Sequence, residues 1–187
     1  MKKSIATIWI MLLLSVAAFT QSNFLYADVM TRGLTNYQSY FAGPALGFES
    51  VLKNKTTIGF KAGLLFADKA YDTPGRYRLR ERLLVFQPEV KFYTNETFKG
   101  FYFGLHLNYQ NYDQKLRDKR DDVTLRTVVT EISNGFFGAG IDLGFMTEIN
   151  SRFSFGVGAS ADLLFDVSIF GEGELGIGLD ARFGYRF

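Results

Sequence analysis

The sequence contains no cysteine, one histidine and three prolines among its 187 residues. Without cysteine, the chain cannot form disulfide bonds, build a thiolate metal site or use a cysteine nucleophile. Its formal net charge is only +2, from 21 basic and 19 acidic residues, whereas nucleic-acid-binding domains carry a marked excess of basic residues. Lys2 and Lys3 account for this small excess, so the chain from residue 23 onward is neutral, and we expect no nucleic-acid partner.

Aromatic residues and glycine are abundant instead. The chain contains 20 phenylalanines, 10 tyrosines and 19 glycines, and 47% of its residues are hydrophobic. Disordered chains have few aromatic residues and low hydrophobicity, so this composition excludes disorder. The length is that of a single domain.

The first twenty residues have the three-part pattern of a secretory signal. Two lysines form a basic start, an almost wholly apolar run follows at 5–19, and two alanines precede a polar segment. The apolar run is short for a membrane-spanning helix, which needs about 20 residues. We therefore predict a signal peptide at 1–20, cleaved between residues 18 and 22, and a mature domain at 23–187.

Apolar and polar residues alternate along most of this mature domain, which is the period of a β-strand. For example, Phe153, Phe155 and Val157 fall on one face, while Ser154 and Gly156 fall on the other. Eight segments show the pattern, at about 24–30, 42–52, 57–67, 83–94, 101–112, 137–149, 152–165 and 174–187. The predicted fold class is therefore all-β.

The length and chemistry of these segments favour a membrane barrel. Most of them have about 11 to 14 residues, whereas strands of soluble sandwiches have about 5 to 6. One face is rich in phenylalanine and the other carries glycine and charge, which suits a lipid-facing wall around a polar lumen. A soluble lipocalin-like barrel, the alternative, would place its bulky apolar residues inside. We predict a monomeric, eight-stranded antiparallel transmembrane β-barrel in the outer membrane of a Gram-negative bacterium.

The connections alternate between tight turns and longer segments, as in barrels with short periplasmic turns and longer outer loops. The tight turns lie at 53–55, 95–97 and 150–151, and the longer connections at about 31–40, 68–82, 113–134 and 166–173. Aromatic residues near the segment ends, among them Phe24, Tyr26, Tyr93, Phe98 and Tyr112, are predicted to form girdles at the membrane interfaces.

The predicted lumen face carries acidic and basic residues that must pair with one another, because unpaired buried charges are costly. The predicted lumen network contains Asp28, Glu49, Lys61, Glu89, Lys91, His106, Asp142, Asp162, Asp180 and Arg182. We favour a closed polar plug, since an eight-stranded barrel has room for little beyond its own side chains. The alternative is a path for protons, ions or small solutes, because the many lumen-facing glycines can outline a modest cavity. We interpret His106 as a hydrogen-bonded lumen residue rather than a catalytic base.

Two further sets of residues suggest contacts with other molecules. A predicted outer-loop basic patch consists of Arg76, Arg78, Arg80 and Arg82. Guanidinium groups form charge-assisted hydrogen bonds with phosphates such as those of lipopolysaccharide, although mixed charge is more often a solvated surface. Phe183, Tyr185 and Phe187 resemble the signal read by the barrel-assembly machinery. The predicted partners are outer-membrane lipids and lipopolysaccharide, this machinery during biogenesis, and an extracellular ligand.

Residues 86–106, with the sequence FQPEVKFYTNETFKGFYFGLH, carry a more specific pattern. The motif Gln87-Pro88-Glu89 is followed by one basic and two aromatic residues and, after a turn, by Phe103-Gly104-Leu105-His106. This pattern resembles a family of small outer-membrane β-barrels of unknown function found in Bacteroidetes-type bacteria. The resemblance is strongest at 87–106 and implies fold and location only.

Three functional hypotheses follow. The first is a non-enzymatic structural or surface-interaction protein that acts in adhesion or contacts lipopolysaccharide. The second is a narrow channel or carrier for small solutes. The third is a lipid-modifying enzyme, which requires a serine or a carboxylate within hydrogen-bond reach of His106 at a lipid-accessible position. We expect no enzymatic activity, no metal site and no cofactor.

Overall fold

The computed structural model describes residues 22–35, 39–71, 77–118, 130–167 and 173–187, with side-chain positions except at 68–79 and 115–131. Every regular element in these ranges is a strand. The strands are β1 (Asn23–Leu34), β2 (Ser39–Lys53), β3 (Thr56–Tyr71), β4 (Tyr77–Tyr93), β5 (Gly100–Asp118), β6 (Thr130–Glu148), β7 (Phe153–Asp166) and β8 (Gly173–Arg186). No helix in the described ranges could cross a membrane. The predicted signal peptide at 1–20 lies outside the described residues.

The strands form one closed antiparallel barrel in which each strand pairs with its neighbours in sequence and β1 pairs with β8. At the end of this seam, the backbones of Asn23 and Phe187 exchange two hydrogen bonds of 2.9 Å. We call this end of the barrel, where the β2–β3, β4–β5 and β6–β7 turns also lie, the short-turn rim, and the opposite end the outer rim. The predicted eight-stranded antiparallel barrel is confirmed.

Six strands, β1 to β6, are longer than the sequence predicts. β3, β4, β5 and β6 have 16, 17, 19 and 19 residues, and the other four have 12 to 15. The prediction of long loops is therefore wrong for most of 68–82 and for half of 113–134. The charges in these segments led to the loop prediction, because charge cannot face lipid cheaply. Beyond the bilayer a strand can carry charge on its outward face, so loss of the apolar pattern does not end the strand.

These additional residues form what we call the outer extension, at 67–71 of β3, 77–82 of β4, 113–118 of β5 and 130–135 of β6. The β2–β3 pairing begins only at Ala42↔Phe66, and the β6–β7 pairing ends at Phe136↔Asp166. Within the extension, β4 remains paired with both β3 and β5, and β5 with β6. A four-stranded sheet therefore rises above the outer rim on one side of the barrel.

Below the outer extension, the outward-facing side chains are largely apolar. Leu107, Leu143 and Ile177 are 50%, 57% and 56% exposed, although soluble proteins rarely expose continuous apolar surface. On β4 the apolar face runs from Leu84 to Phe92, which covers roughly 20 Å along the membrane normal at about 3.3 Å per residue and a tilt near 40°. This height is comparable to the apolar band of about 25 Å on outer-membrane barrels, and the protein lies in the outer membrane.

The interior of the barrel is divided into three layers. An apolar layer at the outer rim contains Met30, Leu34, Phe41, Ala45, Leu65, Ala67, Leu83, Val85, Tyr112, Phe136 and Leu164. An aromatic layer at the short-turn rim contains Phe24, Tyr26, Tyr93, Phe98, Tyr102 and Met146. Most of the buried charged residues lie between the two layers, so apolar side chains close the lumen at both ends.

The position of five aromatic residues corrects a prediction. Phe24, Tyr26, Tyr93, Phe98 and Tyr112 are at most 4% exposed and lie inside the barrel, not in membrane-interface girdles. The prediction relied on their distance from the strand ends and neglected the alternation along each strand. On β1, for instance, the two aromatic positions share the inward face with the polar residues that follow them.

Large side chains fill the space above the lumen-facing glycines. A Cβ atom at Gly144 or Gly158 would collide with the Tyr102 ring, and one at Gly178 would collide with the guanidinium group of Arg32. Each glycine therefore allows a large residue on another strand to lie flat against the wall. These glycines accommodate neighbouring side chains and do not outline the modest cavity that the channel hypothesis requires.

Candidate functional site

All ten residues of the predicted lumen network face the inside of the barrel and are at most 5% exposed. They are Asp28, Glu49, Lys61, Glu89, Lys91, His106, Asp142, Asp162, Asp180 and Arg182. The period of two explains this placement, because each residue lies on the strand face opposite the apolar outer wall. The structure divides the ten residues into two connected clusters.

The cluster nearer the short-turn rim is centred on two cations. Lys91 donates hydrogen bonds to Glu49 and, at 2.5 Å, to Glu89. Arg182 donates to Asp180 at 2.6 Å and to Glu49 at 3.3 Å. Glu49 therefore joins the two cations, and the carboxylates offset much of the cost of burying them.

The aromatic layer supports this cluster directly. The Tyr26 hydroxyl donates to Glu89 at 2.9 Å, and the Tyr93 hydroxyl donates to Glu49 at 3.0 Å. The guanidinium carbon of Arg182 lies 5.0 Å from the Tyr26 ring centre and 5.4 Å from the Tyr102 ring centre. Both distances are within the range of cation–π attraction.

Lys61 occupies the middle of the lumen. Its ammonium nitrogen lies 3.6 Å from an Asp28 carboxylate oxygen and 3.9 Å from an Asp180 oxygen. These separations correspond to ion pairs without direct hydrogen bonds. Lys61 thereby links β1, β3 and β8 electrostatically.

The second cluster surrounds His106. Its Nδ1 atom lies 2.6 Å from Asp142 Oδ2, and its Nε2 atom contacts Asp162 Oδ1. Carboxylate oxygens accept hydrogen bonds, so the arrangement suits a ring that donates from both nitrogens. Neither nitrogen is then free to accept a proton, which argues against His106 as a general base.

Arg32 completes this second cluster and is absent from the sequence prediction. Its guanidinium group donates to Gln87 at 2.8 Å and to the Ser160 hydroxyl, and it lies 3.7 Å from Asp162. The predicted first strand ended at residue 30, two residues too early to include it. The signal was nevertheless present, because Arg32 follows Asp28 at an even spacing and so shares its inward face.

A smaller polar group near the outer rim was also missed. The Glu81 carboxylate accepts hydrogen bonds from the Ser39 hydroxyl at 3.0 Å and from the Tyr112 hydroxyl at 2.5 Å. Glu81 belongs to the segment that the sequence assigned to a loop. An acidic residue in a presumed loop gives no reason to expect burial.

The predicted outer-loop basic patch lies mostly on a strand. Arg76 is outside the described residues, but Arg78, Arg80 and Arg82 belong to β4, so their assignment to a loop is wrong. Arg80 and Arg82 are exposed. Arg82 forms an exposed ion pair of 3.1 Å with Asp113. The arginines occupy alternate positions, in phase with the outward-facing residues of β4. This spacing indicates a strand.

The register of β4 and β5 brings further cations beside these arginines. Arg78 is paired with Arg117, and Arg80 with Lys115. Acidic residues flank the second pair, because Arg80 is also paired with Asp68 on β3 and Lys115 with Glu131 on β6. Two successive like-charge pairs are unusual, because like charges directly opposite each other destabilise a sheet.

The outer wall contains a groove beside Pro88. The β4–β5 pairing is continuous down to Phe86↔Tyr109 and resumes at Glu89↔His106, and Pro88 lies in this gap. Proline has no N–H group to donate to a ladder, which accounts for the interruption. The groove has a volume of about 720 Å³, and Ile58, Phe60, Phe86, Pro88, Leu105, Leu107, Tyr109 and Ala139 are among the residues that line it.

The residues of the predicted assembly signal lie at the end of the barrel seam. Phe183 and Phe187 are exposed, and Tyr185 is half-buried. The Phe153 ring lies 5.5 Å from the Phe183 ring and 5.3 Å from the Tyr185 ring. Recognition of these residues by the barrel-assembly machinery stays a prediction.

A family model with the description "Protein of unknown function (DUF3575)" matches residues 8–165 of this chain. No curated protein matches the sequence. The match agrees with the predicted resemblance to a family of unknown function. Its distribution among Bacteroidetes-type bacteria stays a prediction.

Several solved structures share the fold. They include Neisserial surface protein A, Ail of Yersinia pestis in complex with the heparin analogue sucrose octasulfate, and a major outer membrane protein of Thermus thermophilus. Their TM-scores are 0.53, 0.53 and 0.55, at 9%, 12% and 12% sequence identity. The alignments cover 89%, 89% and 90% of this chain and 96%, 97% and 100% of those proteins. At this level of identity, the similarity concerns the fold alone.

Proposed function

We propose a surface-interaction role for this chain, which belongs to the family described as "Protein of unknown function (DUF3575)". In this role the barrel anchors the outer extension in the membrane, and the extension binds the phosphate groups of lipopolysaccharide. The lumen network holds the barrel together and takes no part in transport or catalysis.

The observation that carries the proposal is the backbone register of β4 and β5 in the outer extension. The register places Arg78 opposite Arg117, and Arg80 opposite Lys115. Such pairs lower the stability of an isolated sheet, but a bound polyanion turns them into favourable contacts. Arg80 and Arg78 precede Leu84, the first residue of the apolar face of β4, by four and six residues, or about 10 and 15 Å along the membrane normal.

A ligand of one protein with a similar fold has related chemistry. Ail is described in complex with sucrose octasulfate, a sulfated heparin analogue. A barrel of this fold can therefore bind a polyanionic saccharide. For the present chain, its own basic residues support the proposal, because the sequence identity with Ail is only 12%.

We expect the Arg80→Gln, Lys115→Gln double variant to bind lipopolysaccharide about tenfold more weakly than the unmodified barrel. Tenfold corresponds to about 1.4 kcal/mol, the amount expected from two exposed charge-assisted contacts. The measurement is equilibrium binding of purified, detergent-solubilised barrel to lipopolysaccharide at low and high salt. The affinity of the unmodified barrel should fall as salt rises, and that of the double variant should change less.

The matched control removes the same charge at the opposite end. The Lys53→Gln, Arg152→Gln double variant changes two exposed basic residues at the short-turn rim. It should bind lipopolysaccharide as tightly as the unmodified barrel. If the two double variants lost the same affinity for lipopolysaccharide, net charge alone would explain the effect. That result would refute a specific site on the outer extension.

The channel hypothesis requires a continuous path through the lumen, and the three lumen layers argue against such a path. Ions would have to cross an apolar layer at each rim, and buried large side chains such as Phe41 and Tyr112 fill the layer at the outer rim. We therefore expect the barrel to show no unit conductance above that of lipid alone in planar bilayers. Discrete, reproducible conductance steps from the purified protein would restore the channel hypothesis.

A further inference from the structure

We propose that the groove beside Pro88 holds one acyl chain of the lipopolysaccharide molecule whose phosphates contact the outer extension. This inference rests on the proposed function, and it adds a second, apolar half to the same binding site. The site would then recognise an intact amphipathic lipid, with its anionic head on the outer extension and one chain in the wall of the barrel.

The groove has the chemistry of a hydrocarbon site. Phe60, Phe86, Leu105, Leu107 and Ala139 contribute to a lining dominated by carbon, and the volume of about 720 Å³ lies within the range of known ligand pockets. Pro88, at which the β4–β5 pairing is interrupted, is one of the lining residues.

The depth of the groove suits a chain that descends from the outer head-group level. The apolar face of β4 begins at Leu84, and Pro88 lies four residues further along the same face. Four residues span about 13 Å along the strand, or roughly 10 Å along the membrane normal at a tilt near 40°. One leaflet contributes about 15 Å of hydrocarbon, so an acyl chain from the outer leaflet reaches the groove.

Charge decides which lipid is the occupant. Arg80 and Lys115 occupy paired positions on β4 and β5, two of the strands that line the groove, and basic residues favour a head group with several negative charges. Lipopolysaccharide combines phosphates with multiple acyl chains in the outer leaflet, where the outer extension emerges. A phospholipid or a second copy of this chain would fill the groove without using the basic residues.

The test places a larger side chain in the groove. Ala139 faces outward on β6 and lines the groove, whereas Ala159 faces outward on β7 and is not among the lining residues. The Ala139→Phe and Ala159→Phe variants therefore add the same ring inside and outside the site. Both variants and the unmodified barrel are placed in lipid nanodiscs that contain lipopolysaccharide. Native mass spectrometry then measures the mass of each protein, with any lipid that it retains, after release from the nanodisc. Heat-modifiable gel mobility checks folding, and Ala139→Leu replaces Ala139→Phe if the larger ring prevents folding.

We expect the unmodified barrel and Ala159→Phe to retain one lipopolysaccharide molecule, and Ala139→Phe to retain at least tenfold less. Deacylated lipopolysaccharide, which keeps the phosphates and loses the chains, should bind all three proteins equally. Equal retention of intact lipopolysaccharide by Ala139→Phe and Ala159→Phe would overturn the acyl-chain site and leave the proposed function intact. Retention of phosphatidylglycerol in place of lipopolysaccharide, or release as a dimer, would also overturn it. Failure of every protein to bind the deacylated saccharide would instead refute the proposed function.

Discussion

Replacing Arg182 with alanine is expected to destabilise the folded barrel by about 3–5 kcal/mol. Arg182 is fully buried and donates hydrogen bonds to Asp180 and Glu49. The alanine variant leaves these carboxylates short of a cation in a lumen that water does not reach freely. It also removes the positive group between the Tyr26 and Tyr102 rings.

The measurement is reversible urea unfolding of the barrel in lipid vesicles, followed by gel mobility. Arg186→Ala is the matched control, because this arginine lies on the same strand and pairs with Glu148 at the partly exposed short-turn rim. Exposed ion pairs contribute about 0–1 kcal/mol, so the control should change stability little. If both variants lost the same stability, burial of the charge would not be the cause.

Replacing His106 with alanine should cost about 3 kcal/mol, because two buried carboxylates lose their common donor. The Asp142→Asn change removes one of these negative charges and should recover part of the loss. Asp142 suits this purpose because its other hydrogen-bond contact in the described structure is with the neutral side chain of Gln87, at 3.3 Å. A double-mutant cycle of the unfolding free energies isolates the coupling, which should exceed about 1 kcal/mol.

The same His106→Ala variant separates a structural role from a catalytic one. Both ring nitrogens contact carboxylates, so we expect the lipid A mass spectrum of cells carrying the variant to match that of cells with the unmodified protein. A change in lipid A acylation together with an unaltered unfolding free energy would refute the structural role. It would favour the lipid-modifying enzyme instead.

The sequence contains enough information for the fold and for most of the lumen. Alternation alone assigns Lys61, Glu89 and Asp142 to the inward face, since side-chain direction in a strand depends only on parity. Which charges pair could not be predicted, because the pairing depends on register and on the barrel closing. Glu49 and Arg182 meet across the lumen although they lie 133 residues apart in sequence.

The features that the sequence does not predict have physical reasons in common. The sequence predicts loops in place of the outer extension because charge ends the amphipathic pattern before it ends the strand. The three lumen layers are not predicted because apolar residues on the inward face, such as Leu83 and Val85, do not stand out beside apolar residues on the outward face. The groove is lined by residues of β3, β4, β5 and β6, so it is visible only once these four strands are paired.

The seam between β1 and β8 has a consequence for how the barrel reaches its folded state. This seam joins the two parts of the chain that are most distant in sequence, so an incomplete barrel has two unpaired strand edges and forms its last contacts slowly. Large β1 residues lie over small β8 residues, with Phe24 at Gly184 and Arg32 at Gly178. A slip of two residues keeps every side chain on its proper face but drives the Phe24 ring against Arg182 or Arg186 instead of Gly184. Gly178 and Gly184 therefore select the correct register sterically. A closure shifted by two residues would satisfy the hydrophobic pattern but would produce clashes at these positions.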